Sequence, residues 1–517
     1  MRSGHPWQVG TGWFMQRPCN KVPGQLPRFL LILAISLCAL LSPSSAQTKQ
    51  PAPAAPGSSS SSATQSWKQI PIPPLHPFHP QEPRRVELPN GLVIFLQEDH
   101  ELPLIDGRIR IRGGVRDEPA DKAGLEIIYA DVWRTGGTKS KTGDELDDLL
   151  EMRAARVEAS PGIDSTSLGW SSLKEDFDRV LPVVLDLLQN PEFRQDKIDL
   201  SRQQLLSIIL RRNDDAGEIA QREVTRIAYG RDNPYARVPE YYSVATITRD
   251  DLRQWHKRTF AANNMILGIT GDFDSAVMER KLREAFGKLP KGQPFPKTNV
   301  AFHEQAAGIY LVQKDDVNQS TIEVLGLGIE RRNPDYYAIE VLNELFGGGF
   351  NSRLFSSIRT RLGLAYSVGG GIGASFDHPG TLRFSASTKS ASTAAVIQSL
   401  RTQIDDLIKN GVKQNEVQEA KDAILNSFIF AFDSKAKVLA ERMAYEAHGY
   451  PADFLERYRS GIEKVTPADV DRVARQYIHP QQLSTLVVGN AKDFDRDLST
   501  FGKVTPVDIS IPQAPPK

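Results

Sequence analysis

Cysteine is almost absent: the 517 residues hold two, Cys19 and Cys38, both ahead of residue 47. A chain cleaved after Ala46 therefore has no disulfide and no thiol nucleophile, and it relies on its core for stability. Histidine is scarce as well. Of nine, only His76 and His79 stand close together, in a proline-rich stretch unsuited to a fixed metal geometry. No Gly-x-Ser-x-Gly segment occurs, which removes the serine nucleophile elbow. Excess charge of one sign is missing too: 63 basic residues face 63 acidic ones, and loss of the four basic residues in 1–46 leaves 59 − 63 = −4. That balance gives no footing for a nucleic-acid partner. No apolar run reaches the ~20 residues of a membrane span. The longest, Phe29 to Leu41, has 13 and lies in the part expected to be removed, so no transmembrane segment is expected in the mature chain.

Arg17, Lys21 and Arg28 precede that run and Ser-Pro-Ser-Ser-Ala follows it. Residues 1–46 thus read as a secretory signal peptide, and the protein as periplasmic or secreted. Leu37 stands before Cys38 where a lipoprotein signal needs a small residue, which argues against a lipid anchor. Residues 47–80 carry five consecutive serines, Ser58 to Ser62, and eight prolines. Such a composition buries too little apolar surface to offset its ordering entropy, so it reads as a disordered tether. A first strand is expected from Val86, a turn at Asn90-Gly91, and a second strand from Leu92 to Gln97.

The rest repeats itself. Thr248-Arg-Asp-Asp-Leu252 leads to an apolar run ending near Gly271, and Thr466-Pro-Ala-Asp-Val470 leads to one ending at Gly489, both at an offset of 218. Each copy reads as a capped helix followed by a strand. The pattern predicts two domains, 81–291 and 301–510, joined by the Pro- and Gly-punctuated linker 292–300. Thr142 with Glu145 makes a further capping box, and Ile397, Leu400, Ile404, Leu407 and Ile408 form an apolar stripe ending at Gly411.

Two segments carry the functional signal. In Ala123 to Thr138, Leu125, Ile128, Tyr129, Val132 and Trp133 recur at the spacing of an amphipathic helix closed by Gly136-Gly137. Leu345 to Val368 reads Leu-Phe-Gly-Gly-Gly-Phe-Asn-Ser-Arg-Leu-Phe-Ser-Ser-Ile-Arg-Thr-Arg-Leu-Gly-Leu-Ala-Tyr-Ser-Val. Together they resemble the pitrilysin or insulinase type of zinc metallopeptidase, the mitochondrial processing peptidase included. That family has His-x-x-Glu-His on the first helix, two imidazoles one turn apart to hold zinc and a Glu to deprotonate its water. Laid over this chain, the motif falls on Ile127, Ala130 and Asp131. The family's last ligand, a Glu, falls on Ile208, at 208 − 131 = 77 positions beyond Asp131. Isoleucine and alanine offer no donor, and one carboxylate cannot build a tetrahedral site, so no metal is expected here. Ile127 and Ile208 are instead expected to form an apolar pocket, stabilised by burial of ~1.5–3 kcal/mol per side chain. Asp117, Glu118, Glu126 and Asp131 read as solvated surface carboxylates.

The resemblance implies an α+β fold in which two homologous metallopeptidase-like domains (LuxS/processing-peptidase-like) form a clamshell. It also implies that Arg359 and Tyr366 hold the substrate backbone and stabilise its oxyanion. Gly347-Gly-Gly349 reads either as a helix C-cap and turn or, by the resemblance, as a loop placing Gly348 and Phe350 on the substrate. Gly369-Gly-Gly371 reads as a strand that another backbone approaches closely. Some members divide the labour between two chains, one with the zinc motif and one with the Arg-Tyr pair. This chain is therefore expected to be a catalytically incomplete subunit in a heterodimer, with zinc on the homologous partner and a peptide as substrate. The competing expectation is a non-enzymatic peptide-binding or scaffold protein.

Overall fold

The computed structural model describes residues 80–303 and 306–513. The expected signal peptide, and all of the expected tether except Pro80, fall outside the described residues. Gly91, at φ 86, makes the turn between β1 (Arg84–Glu87) and β2 (Val93–Glu98), a conformation glycine adopts without a Cβ clash. With β3 (Leu104–Arg112), β4 (Arg156–Ser160), β5 (Ser165–Leu173) and β6 (Met265–Gly271) they form one sheet in the order β1-β2-β6-β3-β5-β4. Only β2 and β6 run parallel. Along β3 the isoleucines 105, 109 and 111 point into the core while Arg108, Arg110 and Arg112 take the other face.

The second sheet contains β7 (Ile309–Gln313), β8 (Gln319–Leu327), β9 (Ile329–Glu330), β10 (Ser367–Ser375), β11 (Pro379–Lys389), β12 (Ser484–Gly489) and β13 (Val504–Pro506). Its order is β13-β7-β12-β8-β11-β10-β9. The parallel pair β7 and β12 repeats the pair β2 and β6 of the first sheet, with short β9 and β13 added as parallel edges. The repeat read from the sequence shows in the caps. Thr248 and Thr466 each accept an N–H three residues on, from Asp251 and Asp469, whose carboxylates return the bond. Residues 291–303 form no helix or strand; Thr298 donates to Asp117 and Arg258 lies 4.9 Å from the Phe295 ring centre, which ties this stretch to the first sheet's half.

The two halves exchange helices. Helix Ala216–Tyr229 follows the first half's chain but buries Ile219, Ala220, Val224 and Ala228 against Val312, Leu325, Leu486 and Val488 of the second sheet. Its counterpart, Lys435–His448, lies 435 − 216 = 219 residues on and packs Leu439 and Met443 on Val93, Phe95 and Ile266 of the first. Gly268 makes room there, since a Cβ would lie 2.3 Å from the Met443 sulfur. Each sheet thus has one face covered by its own helices and the other by the opposite half. Residues from Pro80 onward accordingly form one compact unit. No helix among the described residues is long and apolar enough to cross a membrane.

Candidate functional site

Helix Leu125–Thr135 starts at Gly124, whose φ of 103 suits glycine. The carboxylate of Glu118 accepts the N–H groups of Gly124 at 3.0 Å and Glu126 at 3.1 Å, satisfying free donors at the helix start. The inward face is the predicted one: Leu125, Ile128, Tyr129, Val132 and Trp133 are all buried. The Trp133 indole donates to the Leu187 carbonyl at 2.8 Å. His256 must donate from Nε2 to the Leu188 carbonyl, so Nδ1 accepts from the Tyr129 hydroxyl at 2.9 Å. Burial lowers this imidazole to about 4 and keeps it neutral.

Two expectations fail at this helix. Ile127 is only half-buried and Ile208 is 42 % exposed, so they form no closed apolar pocket. The reason is periodicity: helix Gln195–Arg211 turns Ile198, Leu205 and Ile209 to the core, which leaves Ile208 outside. Glu118 and Glu126 are not solvated either, at 3 % and 0 % exposure. Desolvation pushes Glu118 up to about 7, against the two N–H groups it accepts, and holds Glu126 well above its usual range, against a hydrogen bond from Thr166. Ala130 is buried and Asp131 half-buried. The positions of the zinc motif therefore offer one carboxylate among four residues, which does not fit zinc.

The buried acids make a pH prediction. A carboxyl raised in the fold binds its proton more tightly there than when unfolded. Its stabilising contribution is complete below about 4.5 and is lost as pH rises through about 7 for Glu118. Glu126→Gln, which keeps a hydrogen-bonding oxygen for Thr166, is expected to raise Tm at pH 8 and to change it much less at pH 5. Equal shifts at both pH values in thermal melts would show that Glu126 is not held protonated.

In the second half, helix Tyr336–Asn343 runs on into a π-helical turn, Glu344–Gly348, and a second one covers Phe355–Arg361. Such turns recur at functional sites. Gly347-Gly-Gly349 is thus not a simple C-cap. The Gly347 carbonyl lies 2.7 Å from where a Cβ of Gly369 would be, so the glycines of this turn and of β10 are what let the two backbones touch. Asn343 locks the contact by donating to the Ile372 carbonyl at 3.0 Å and accepting its N–H at 2.7 Å. Leu354 and Ile358 anchor the second turn in the core. Arg359 faces outward, its guanidinium carbon 4.8 Å from the Phe355 ring centre, and Phe355 meets the exposed Phe350 edge-on at 4.9 Å. Tyr366 donates its N–H to the Ser387 carbonyl at 2.8 Å while the residue stays 57 % exposed. Gly348, Phe350, Arg359 and Tyr366 belong to this one segment. Ile127, Ala130, Asp131 and Ile208 belong to the other half's helix pair.

A third cluster, unforeseen in the sequence, lies on the seam between the halves. Arg110 donates to both oxygens of Asp164 at 2.7 and 2.8 Å. Arg116 donates to Asp377 at 2.7 Å and to the Tyr235 hydroxyl at 2.5 Å. Burial alone would raise Asp377, but His378 and Arg116 outweigh it and hold its carboxyl well below the usual range. His448 stacks on Phe376 at 4.6 Å and is lowered by burial to about 4. Asp164, Asp377 and His448 bring three donor atoms within 4.8 Å, beside a cavity of about 350 Å³. Two guanidiniums already neutralise both carboxylates, so the cluster is an ionic seam.

Two family descriptions match the chain: "Insulinase (Peptidase family M16)" over residues 94–237 and "Peptidase M16 inactive domain" over residues 246–424. The chain belongs to the M16 peptidase family. Among M16 relatives, the Helicobacter pylori protein named "Non-peptidase homolog YmxG" is 24 % identical over 407 residues, covering 77 % of this chain and 92 % of that protein. A Streptomyces coelicolor protein named as an uncharacterized zinc protease is also 24 % identical, over 79 % of this chain and 90 % of its own. The crystal structure of a peptidase M16 inactive domain from Pseudomonas fluorescens superposes with a TM-score of 0.72 at 22 % identity, over 79 % of this chain and 98 % of that one. A Helicobacter pylori protease structure gives 0.70 at 19 % identity, over 79 % and 100 %. These structures share the fold. The chain is an M16 member of inactive type, with two M16-like domains in mixed α and β structure, and the donor set above accounts for its incompleteness.

Proposed function

We propose that this chain is the zinc-free half of a periplasmic or secreted two-chain metallopeptidase, pairing with a zinc-bearing homologue and holding the peptide substrate for it. One observation carries the reading: the two parts of the family's site have fared differently. Ile127, Ala130 and Ile208 have lost every metal-binding group, yet Arg359 and Tyr366 stay outward-facing on a segment fixed by Leu354, Ile358 and the Ser387 carbonyl. An extended peptide offers carbonyls that accept hydrogen bonds from both side chains, from the guanidinium's fork and from the phenol's O–H. As a carbonyl carbon becomes tetrahedral, its oxygen gains charge and both donors bind it more tightly. Zinc, on the partner, would polarise the carbonyl and supply the attacking water.

The test is to recover the tagged mature chain from its native envelope fraction, identify what accompanies it, and quantify zinc. The expected result is a stoichiometric partner with an intact His-x-x-Glu-His motif and about one zinc per pair. A zinc-free chain without such a partner would favour a peptide-binding or scaffold role, and zinc on this chain alone would overturn the reading.

A further inference from the structure

The seam cavity, about 350 Å³, falls at the small end of small-molecule sites, and its wall is charged. Asp164 and Asp377 on that wall are answered by Arg110 and Arg116, and Glu446 by Arg85 at 2.8 Å. Asp117 accepts from the Thr298 hydroxyl and the Gly114 N–H and lies 3.7 Å from Arg116. That leaves Arg112, Lys297 and Arg332, none with a carboxylate partner among the described residues, and one acid, Glu330, without a cation. Arg85 included, six cations face five acids, so the surplus is positive and is free on those three side chains. They come from the three parts that meet here: β3, the stretch between the halves, and the turn after β9. The carbonyls that end helix Lys435–His448 hold two of them in place. Arg112 donates from Nη2 to Ala447 at 3.2 Å, and Arg332 from Nη2 to His448 and, at 3.3 Å, to Gly449. Cations suit the negative end of a helix, but this cap occupies one nitrogen of each fork. Nε and Nη1 of both have no hydrogen-bond partner among the described residues. Other ligands fit the wall poorly. A divalent cation would have to displace guanidiniums from Asp164 and Asp377, and an aromatic ligand finds Phe376 already taken by His448 at 4.6 Å and Arg331 at 4.0 Å.

We propose that the seam cavity binds a small oxyanion, a phosphate or a dicarboxylate, held by Arg112, Lys297 and Arg332. A guanidinium fork matches the paired oxygens of either group, and the ammonium adds a point charge. An anion held by all three cross-links the two halves and the stretch between them, whatever the chain does with peptides.

Inorganic phosphate and succinate, both radiolabelled, are the probes, and their retention by the full mature chain is read by equilibrium dialysis at pH 8 and low salt. The expected result is about one ion per chain with a Kd of about 1 mM or tighter, and the tighter probe names the class. Lys297→Glu should abolish retention. Lys297 is exposed and has no ion pair or side-chain hydrogen bond among the described residues, so that loss does not come through the fold. Glu330→Gln removes the one opposing charge and should tighten binding about two- to fivefold, which purely structural cations would not do. No retention of either ion by the parent, or retention unchanged in Lys297→Glu, overturns the proposal.

Discussion

Arg359→Ala, introduced into the proposed two-chain peptidase, is expected to cut peptide turnover by about 10²- to 10³-fold, the ~2.7–4 kcal/mol that one oxyanion donor contributes in a transition state. The fold should not suffer. The side chain is exposed and, among the described residues, pairs with no carboxylate; it lies over the face of Phe355. The backbone task at this position, accepting the Gly363 N–H at 3.1 Å, survives the substitution. Zinc content and pairing should therefore equal those of the parent, which separates a lost donor from a lost complex. Arg359→Lys keeps the charge but not the planar fork and should recover only part of the rate. Tyr366→Phe removes a single hydroxyl and should lower turnover with little change in thermal stability. Unchanged kcat/KM in Arg359→Ala, with the pair intact, would leave the shared site without support.

How much of this was readable beforehand differs from residue to residue. The stripe Leu125, Ile128, Tyr129, Val132 and Trp133 was legible because helical periodicity states which face is buried, and all five are. Thr248 and Thr466 were legible because a capping box is a local device. Glu118 and Glu126 were not, because a carboxylate's burial depends on a helix start and on Thr166, forty residues further on. Ile208 misled for the opposite reason: an isoleucine suggests a core, but Ile209 and Leu205 use up the inward face of its helix. The helix exchange could not be read at all. Ala216–Tyr229 and Lys435–His448 have ordinary apolar stripes, and a stripe does not say whose sheet it meets. Arg359 and Tyr366 are singled out by the surrounding segment, whereas the Arg116–Asp377 pair needed the fold, which alone brings residues 261 positions apart together.

Restoring donors should restore metal. Ile127→His, Asp131→His and Ile208→Glu together are expected to take the chain from no bound zinc to one per chain after dialysis against metal-free buffer. The argument is positional. Residues 127 and 131 lie one turn apart on a single helix, so two imidazoles there would share a face. That helix packs against Gln195–Arg211, which carries Ile208, and Leu205 of the second helix reaches within 3.2 Å of a Cβ placed on Gly124. None of the three side chains is fully buried, so polar replacements cost little core stability. Structural zinc sites bind by ~10–16 kcal/mol, and a partly exposed three-ligand site that starts folded should reach at least micromolar affinity. Ile127→His alone leaves two donors with Asp131 and should bind far more weakly, which checks that the triple variant gains a site and not a sticky surface. Because Ala130 remains, no side chain stands ready to deprotonate a metal-bound water, and zinc should bind without proteolysis. If the triple variant folds by circular dichroism yet holds no more zinc than its parent, the two helices have moved from the family's geometry as well as lost its ligands. In that case Ile127 and Ile208 are no longer the relics of a metal site but part of a surface reshaped for another use.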